Sequence, residues 1–220
     1  MNFLQGVQRL RIEAGISGSG PTSVVGQVGE LSELVEWYNS AYEDIQNLHR
    51  NWRFLWGEFS FDLIIDTVSY TAAAAGYSDL NEWKLDDVRV YLDSADEDQL
   101  IYEIWDDFKA VRQIGTVSTG RPTHFSISPN NSIAFWPTPD QTYTAVGEYY
   151  KSAETLSGNT DEPIFPSQYH MAIVWRALMF YAAGLSAAEK YTHGHTEYRR
   201  IMRAMEVTQL PQIVWGEPLA

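Results

Sequence analysis

The clearest signal in the chain is a helical stripe between residues 29 and 56. Leu31, Leu34, Val35, Tyr38, Ala41, Tyr42, Ile45, Leu48, Trp52 and Leu55 recur at steps of three and four. No Pro or Gly interrupts that stretch, and Glu30, Glu33, Glu36, Glu43 and Asp44 occupy the other faces. The pattern predicts one long helix, its early acids placed favourably for the helix dipole. A shorter amphipathic helix is expected over residues 1–14, from Phe3, Leu4, Val7 and Leu10. The Gly15 to Ser23 stretch between them reads as a loop; it has no preceding strand and no Gly-Lys-Ser/Thr ending, so it is not a phosphate loop.

After Gly57 the period changes to two. Phe59 and Phe61 alternate with Glu58, Ser60 and Asp62, the signature of a strand. Further strands are expected at Val88–Leu92, before the segment with Ile104, Phe108 and Val111 on one helical face, after Gly120-Arg-Pro, at Ile133–Trp136 and over Tyr143–Tyr150. Ala72–Gly76 reads as a turn or short helix. Helix returns after Pro163 and Pro166, with Met171, Val174, Trp175, Leu178, Met179 and Ala182 on one stripe. Ser186-Ala-Ala-Glu189 matches a capping box that would start a last helix, continued by Tyr191, Tyr198, Ile201, Met202 and Met205.

These elements predict an α+β protein. N- and C-terminal helices (1–56 and 163–208) form an antiparallel bundle. An antiparallel β domain of sandwich or small-barrel type (57–162) is inserted between them. Residues 209–220 form an extended arm, because Pro211, Gly216 and Pro218 forbid a stable helix. That arm carries Leu210, Ile213, Val214, Trp215 and Leu219 with a single charged side chain. Disordered ends are ordinarily polar, so these side chains call for cover. They either fold back on their own bundle or lie on another subunit.

Composition sharpens the picture. The chain of 220 residues has 8 Trp, 13 Tyr and 9 Phe, residue types that serve cores and protein interfaces alike. It has no Cys, which excludes disulfides and thiolate chemistry and fits folding in a reducing cytosol. Neither a signal peptide nor an apolar run of membrane-spanning length is expected. The net charge of −14 is uneven: residues 30–110 hold 19 acids and 5 bases, and the remainder holds 10 of each. Such a balance disfavours phosphate-backbone binding.

Candidate chemistry is sparse. His193 and His195 stand two apart, which on a helix points them in different directions. His49, His124 and His170 are isolated in sequence. Asp86-Asp87 and Asp96-Glu97-Asp98 lack the spaced ligands and central Gly of a calcium loop. There is no Gly-x-Ser-x-Gly elbow. No catalytic, cofactor or metal residues are expected.

Several phrases resemble the head-to-tail adaptor (connector) proteins of tailed phages. They include Phe3-Leu-Gln-Gly-Val-Gln-Arg-Leu-Arg with Gly15-Ile-Ser-Gly-Ser-Gly-Pro, Val28-Gly-Glu-Leu, Trp37-Tyr-Asn-Ser-Ala-Tyr-Glu-Asp-Ile-Gln and Trp52-Arg-Phe-Leu. Gly120-Arg-Pro-Thr-His-Phe, Phe135-Trp-Pro-Thr-Pro-Asp and Glu148-Tyr-Tyr-Lys follow, then Phe165-Pro-Ser-Gln-Tyr-His-Met-Ala-Ile-Val-Trp-Arg-Ala-Leu and Glu197-Tyr-Arg-Arg. The resemblance implies a structural virion protein at the head–tail interface, made in the host cytoplasm, and not an enzyme. It implies a homo-oligomeric ring of twelve copies bound to the portal above and to a nozzle or other tail proteins below. DNA would pass through the channel without specific binding. On this reading Leu210, Ile213, Val214, Trp215 and Leu219 contact the portal or a neighbouring subunit, and Glu30, Glu33 or Asp44 faces the channel. Two alternatives are a tail-associated cell-wall-degrading enzyme using acids of the β region, and a carbohydrate- or receptor-binding tail module stacking sugars on Trp105 and Trp136.

Overall fold

The computed structural model describes residues 1–93, 96–115 and 117–211. The chain divides into two compact units: Met1–Leu55 together with the chain from Ala153, and Trp56–Ser152. The protein is α+β, with helices at both ends of the chain and mostly antiparallel strands between them.

Among the described residues, four α-helices build the first unit: α1 (Phe3–Ala14), α2 (Glu30–Asn47), α4 (Met171–Gly184) and α5 (Ala188–Gln209). Asn2 and Gln5 close a reciprocal capping box on α1, and Gly15 ends it in the left-handed conformation with φ 70°. Nine of the fourteen residues of α4 are buried, so it is apolar on nearly every side. It packs against α1, α2 and α5. The α2 positions Leu34, Tyr38, Ala41, Tyr42 and Ile45 face the same core as Phe3, Val7 and Leu10 of α1. Gly194 of α5 lies against the Trp175 carbonyl of α4, where a Cβ would stand 3.1 Å from that oxygen.

Two helix boundaries differ from expectation. α2 stops at Asn47 instead of running to residue 56. The fully buried Trp52 folds back, and its indole N–H donates to the Ile45 carbonyl at 3.1 Å, replacing a backbone donor. The Ser186–Glu189 capping box does not form: Ala187 is the N-cap of α5, with no side-chain cap bond. Ser186 takes a left-handed φ of 55° and closes α4, while the Ala187 N–H bonds the Ala182 carbonyl.

Residues 153–162, expected within the β insertion, lie in the helical unit as a strap. Side chains of α2 hold it by imitating a strand partner. Asn39 donates to the Leu156 carbonyl (2.9 Å) and accepts its N–H (3.1 Å). One α-helical heptad on, Gln46 does the same with Glu154 (3.0 and 3.1 Å). This explains why Gln46 is polar and yet buried. Tyr42 donates to Glu154 at 2.7 Å and accepts the Ile164 N–H at 2.9 Å.

The second unit has two sheets around one aromatic core. In the first, β9 (Thr144–Lys151) is the long central strand. It pairs antiparallel with β1 (Trp56–Asp62) on one side and with β3 (Leu80–Trp83) and β4 (Arg89–Tyr91) on the other; β5 (Glu97–Gln99) extends β4. Gly147 is opposite Phe59, and a Cβ there would enter the Phe59 ring at 2.6 Å. Phe59 in turn stands edge-on to Trp83 at 5.0 Å. The second sheet runs β2 (Ser69–Tyr70), β8 (Ile133–Trp136), β7 (His124–Ile127), β6 (Ile101–Tyr102). Within this mostly antiparallel arrangement one pair departs from the expected pattern: β6 and β7 are parallel. The connection between them contains α3 (Trp105–Arg112), the kind of crossover that parallel neighbours require. Only Phe108 of the expected apolar face of α3 is buried; Ile104 and Val111 are exposed.

Candidate interaction surfaces

The acids singled out for a channel wall all lie on α2, but they do not form one cluster. Glu30 and Glu33 sit exposed in the first turn, where the free N–H groups of the helix favour anions. Asp44 is about 21 Å further along the axis. Its carboxylate accepts from Arg176 Nε at 2.6 Å, and that guanidinium also lies over the Phe180 ring. Part of the Asp44 charge is therefore met within its own unit. Glu36 and Glu43 project from another flank of α2 and have no ion-pair partner among the described residues.

The root of the C-terminal arm is described and its tip is not. Leu210 caps α5 in an extended conformation (φ −89°, ψ 149°), donating its N–H to Glu206, and packs partly buried on the helical core. Ile213, Val214, Trp215 and Leu219 lie outside the described residues.

Sequence reasoning did not single out a basic stripe on α5. His195, Arg199 and Arg203 recur every fourth residue and are exposed. With Thr196 and Arg200 they line a shallow depression of about 450 Å³. Arg200 is held by Glu197 at 2.8 Å, whereas Arg199 and Arg203 have no acidic partner among the described residues. The i, i+4 spacing was available as a signal, although the acidic third of the chain dominates the charge pattern. The two histidines of this helix are apart: His193 meets the Trp175 ring edge-on, and His195 stacks on Tyr191.

In the β unit, a polar cluster joins α3 to β7. Arg112 grips Glu103 through two bonds, Nε at 3.1 Å and Nη2 at 2.6 Å. Its guanidinium lies 4.1 Å from the centroid of the Trp136 ring. His124 Nε2 lies 3.6 Å from the same carboxylate. The Arg112 hydrogen bonds hold the Glu103 carboxyl below the usual carboxylate range. Beside this cluster is a cavity of about 420 Å³ whose lining includes Trp105, Phe108, Phe135 and Trp136. Glu103, in the connection after β6, and Arg112, at the end of α3, are nine residues apart, and no local pattern in the sequence announces the pair. Around α3 and the edge strand β6, Ile101, Ile104, Val111 and Ile114 are each at least 60% exposed, an apolar surface of the kind that marks protein contacts. Among the described residues no helix is long and apolar enough to cross a membrane.

No curated protein matches the chain. A family match covers residues 1–215, which is nearly all of both units. The chain belongs to the SU10 adaptor protein family, and its role is that of a structural phage adaptor, in contact with other head and tail proteins of the virion.

Proposed function

We propose that the chain forms a ring beneath the portal, joins capsid to tail, lines the DNA channel and acts without catalysis. The observation that carries this reading is the family match over residues 1–215. Charge supports it: twelve copies at −14 each would surround the channel with on the order of −170 charges, a field that keeps passing DNA off the wall. Glu30, Glu33 and Asp44 are the groups proposed to face that channel. Ile213, Val214, Trp215 and Leu219, leaving the helical core at Leu210, are proposed to dock on the portal or a neighbouring subunit.

Particle mass in solution, measured for the chain alone and mixed with portal, tests the ring. A multi-copy complex with portal is expected, and no association with any capsid-vertex or tail component refutes it. Deleting residues 209–220 should abolish portal binding while the far-ultraviolet circular dichroism of the helices stays native. Undiminished binding by the shortened chain refutes the arm.

The cavity beside Trp105 and Trp136 favours, as a second reading, a sugar-binding module. One face of Trp136 is already occupied by Arg112, which leaves less ring for a sugar to stack on. Cell-wall glycan binding that is lost in Trp105→Ala would favour that reading.

A further inference from the structure

We infer that neighbouring copies join through α2 and α5: the Arg199 and Arg203 stripe of one copy receives Glu36 and Glu43 of the next. This deepens the ring reading and rests on it.

Both surfaces lie in the helical unit, and each belongs to a helix whose apolar face is spent on α4. The outward faces of both helices are therefore left over. On α5 the leftover face is cationic, with Arg199 and Arg203 exposed and uncommitted among the described residues, at the rim of a depression that could admit a carboxylate-bearing side chain. On α2 it is anionic, with Glu36 and Glu43 equally uncommitted. The dimensions agree. Glu36 and Glu43 are about 10 Å apart along their axis and Arg199 and Arg203 about 6 Å along the other, a difference that the long Arg and Glu side chains can span. Glu36 is exposed and Glu43 half-buried, and the exposed Ser40 and Asn47 beside them are small polar residues that allow close approach.

The alternative cationic-stripe occupant is DNA. The chain as a whole opposes it, since 29 acids face 15 bases and Glu189, Glu197 and Glu206 share the same helix. A second copy fits better because the complementary acids are on the same chain. Two different patches that attract each other on identical subunits make a head-to-tail contact, and such contacts close into rings when the rotation permits. Helical geometry also separates this contact from the proposed channel wall. Glu36 and Glu43 fall within about 20° of each other around α2, some 60–140° from Glu30, Glu33 and Asp44. One helix can thus stand at the corner between channel and neighbour.

The test uses two full-length variants, Glu36→Arg/Glu43→Arg and Arg199→Glu/Arg203→Glu, and reads multi-copy assembly with portal by native mass spectrometry. Each variant alone should assemble at roughly one-tenth of the native yield or less, because every lateral contact then sets like charges together. An equimolar mixture should recover assembly with the two variants alternating, since the two unchanged faces match at one contact and the two changed faces match at the next. Recovery in the mixture also proves that neither variant is misfolded. If the native chain assembles and each variant assembles equally well alone, the interface is overturned and the ring stands. If the mixture does not recover, or if Arg199→Glu/Arg203→Glu assembles normally but loses retention of a DNA duplex, the interface is likewise overturned. A native chain that stays monomeric with portal overturns ring and interface together.

Discussion

Replacing Tyr38 by Phe should stabilise the helical unit. Tyr38 is fully buried at the crossing of α1 and α2, beside Phe3 at 5.5 Å between ring centroids. Its hydroxyl has no hydrogen-bond partner among the described residues. Burial pushes the phenol well above the ordinary tyrosine range, as expected of a group whose charged form would have no support. Gly6 makes room for it, because a Cβ there would collide with the hydroxyl and the ring carbon bearing it. Burying an unpaired hydroxyl costs about 1–3 kcal/mol. Removing one oxygen leaves a gap smaller than a methyl group, a loss of about 0.5–1 kcal/mol. The net gain is about 1 kcal/mol. With a urea slope of about 2 kcal/mol/M, the midpoint followed by far-ultraviolet circular dichroism should rise by roughly 0.5 M. Gly6→Ala should lower it by about 1–3 kcal/mol through overpacking, and adding Tyr38→Phe should not rescue it, because the ring carbons still block the Cβ. A Tyr38→Phe midpoint at or below native refutes the reasoning: the hydroxyl would then be satisfied in solution.

Gln46→Leu keeps the side-chain volume but strips both strap bonds from Glu154, at a cost of about 2–4 kcal/mol. Hydrogen exchange should show the Glu154 and Leu156 amides opening first, and unchanged protection there would count against the strap. The Glu103 carboxyl titrates below its usual range, so its pairing adds stability above the unfolded-state pKa and loses it as pH falls through the lower folded value. Carbon-detected NMR titration should show the Glu103 pKa rising in Arg112→Gln, and an unmoved value would mean that Arg112 is not its main support.

Helices α1 and α2 were legible because each buries one face at a period that sequence records directly. Phe3, Val7 and Leu10 on α1 and Leu34, Tyr38, Ala41 and Ile45 on α2 are such faces. Helix ends were less legible, since nonlocal events set them. The Trp52 indole replaces a backbone donor to stop α2, and the left-handed turn at Ser186 removes the cap that its spacing suggests. The parallel pairing of β6 with β7 depends on a partner more than twenty residues away, and Ile101-Tyr102 is too short to carry a period. Residues 153–162 read as part of the β insertion, because their place is set by amide side chains on α2 and not by their own pattern.

In the proposed ring, the distribution of committed charge bears on which unit can draw copies together. The β unit holds 16 acids and 6 bases, and Lys84, Arg89, Arg112, Arg121 and Lys151 are all paired with acids of that same unit. Its uncommitted charge is thus almost wholly negative, and two such surfaces repel. At physiological ionic strength that repulsion fades beyond about 8 Å. A guanidinium touching a carboxylate acts at contact distance, well inside that limit, and is screened far less. In the proposed contact, electrostatic attraction between copies comes from cations left free, two of which stand on α5 at Arg199 and Arg203. A small number of matched contacts can outweigh a large unfavourable net charge because the two act over different distances. With the proposed interface, assembly should fall as salt rises, the reverse of what relief of general repulsion between copies at −14 would give.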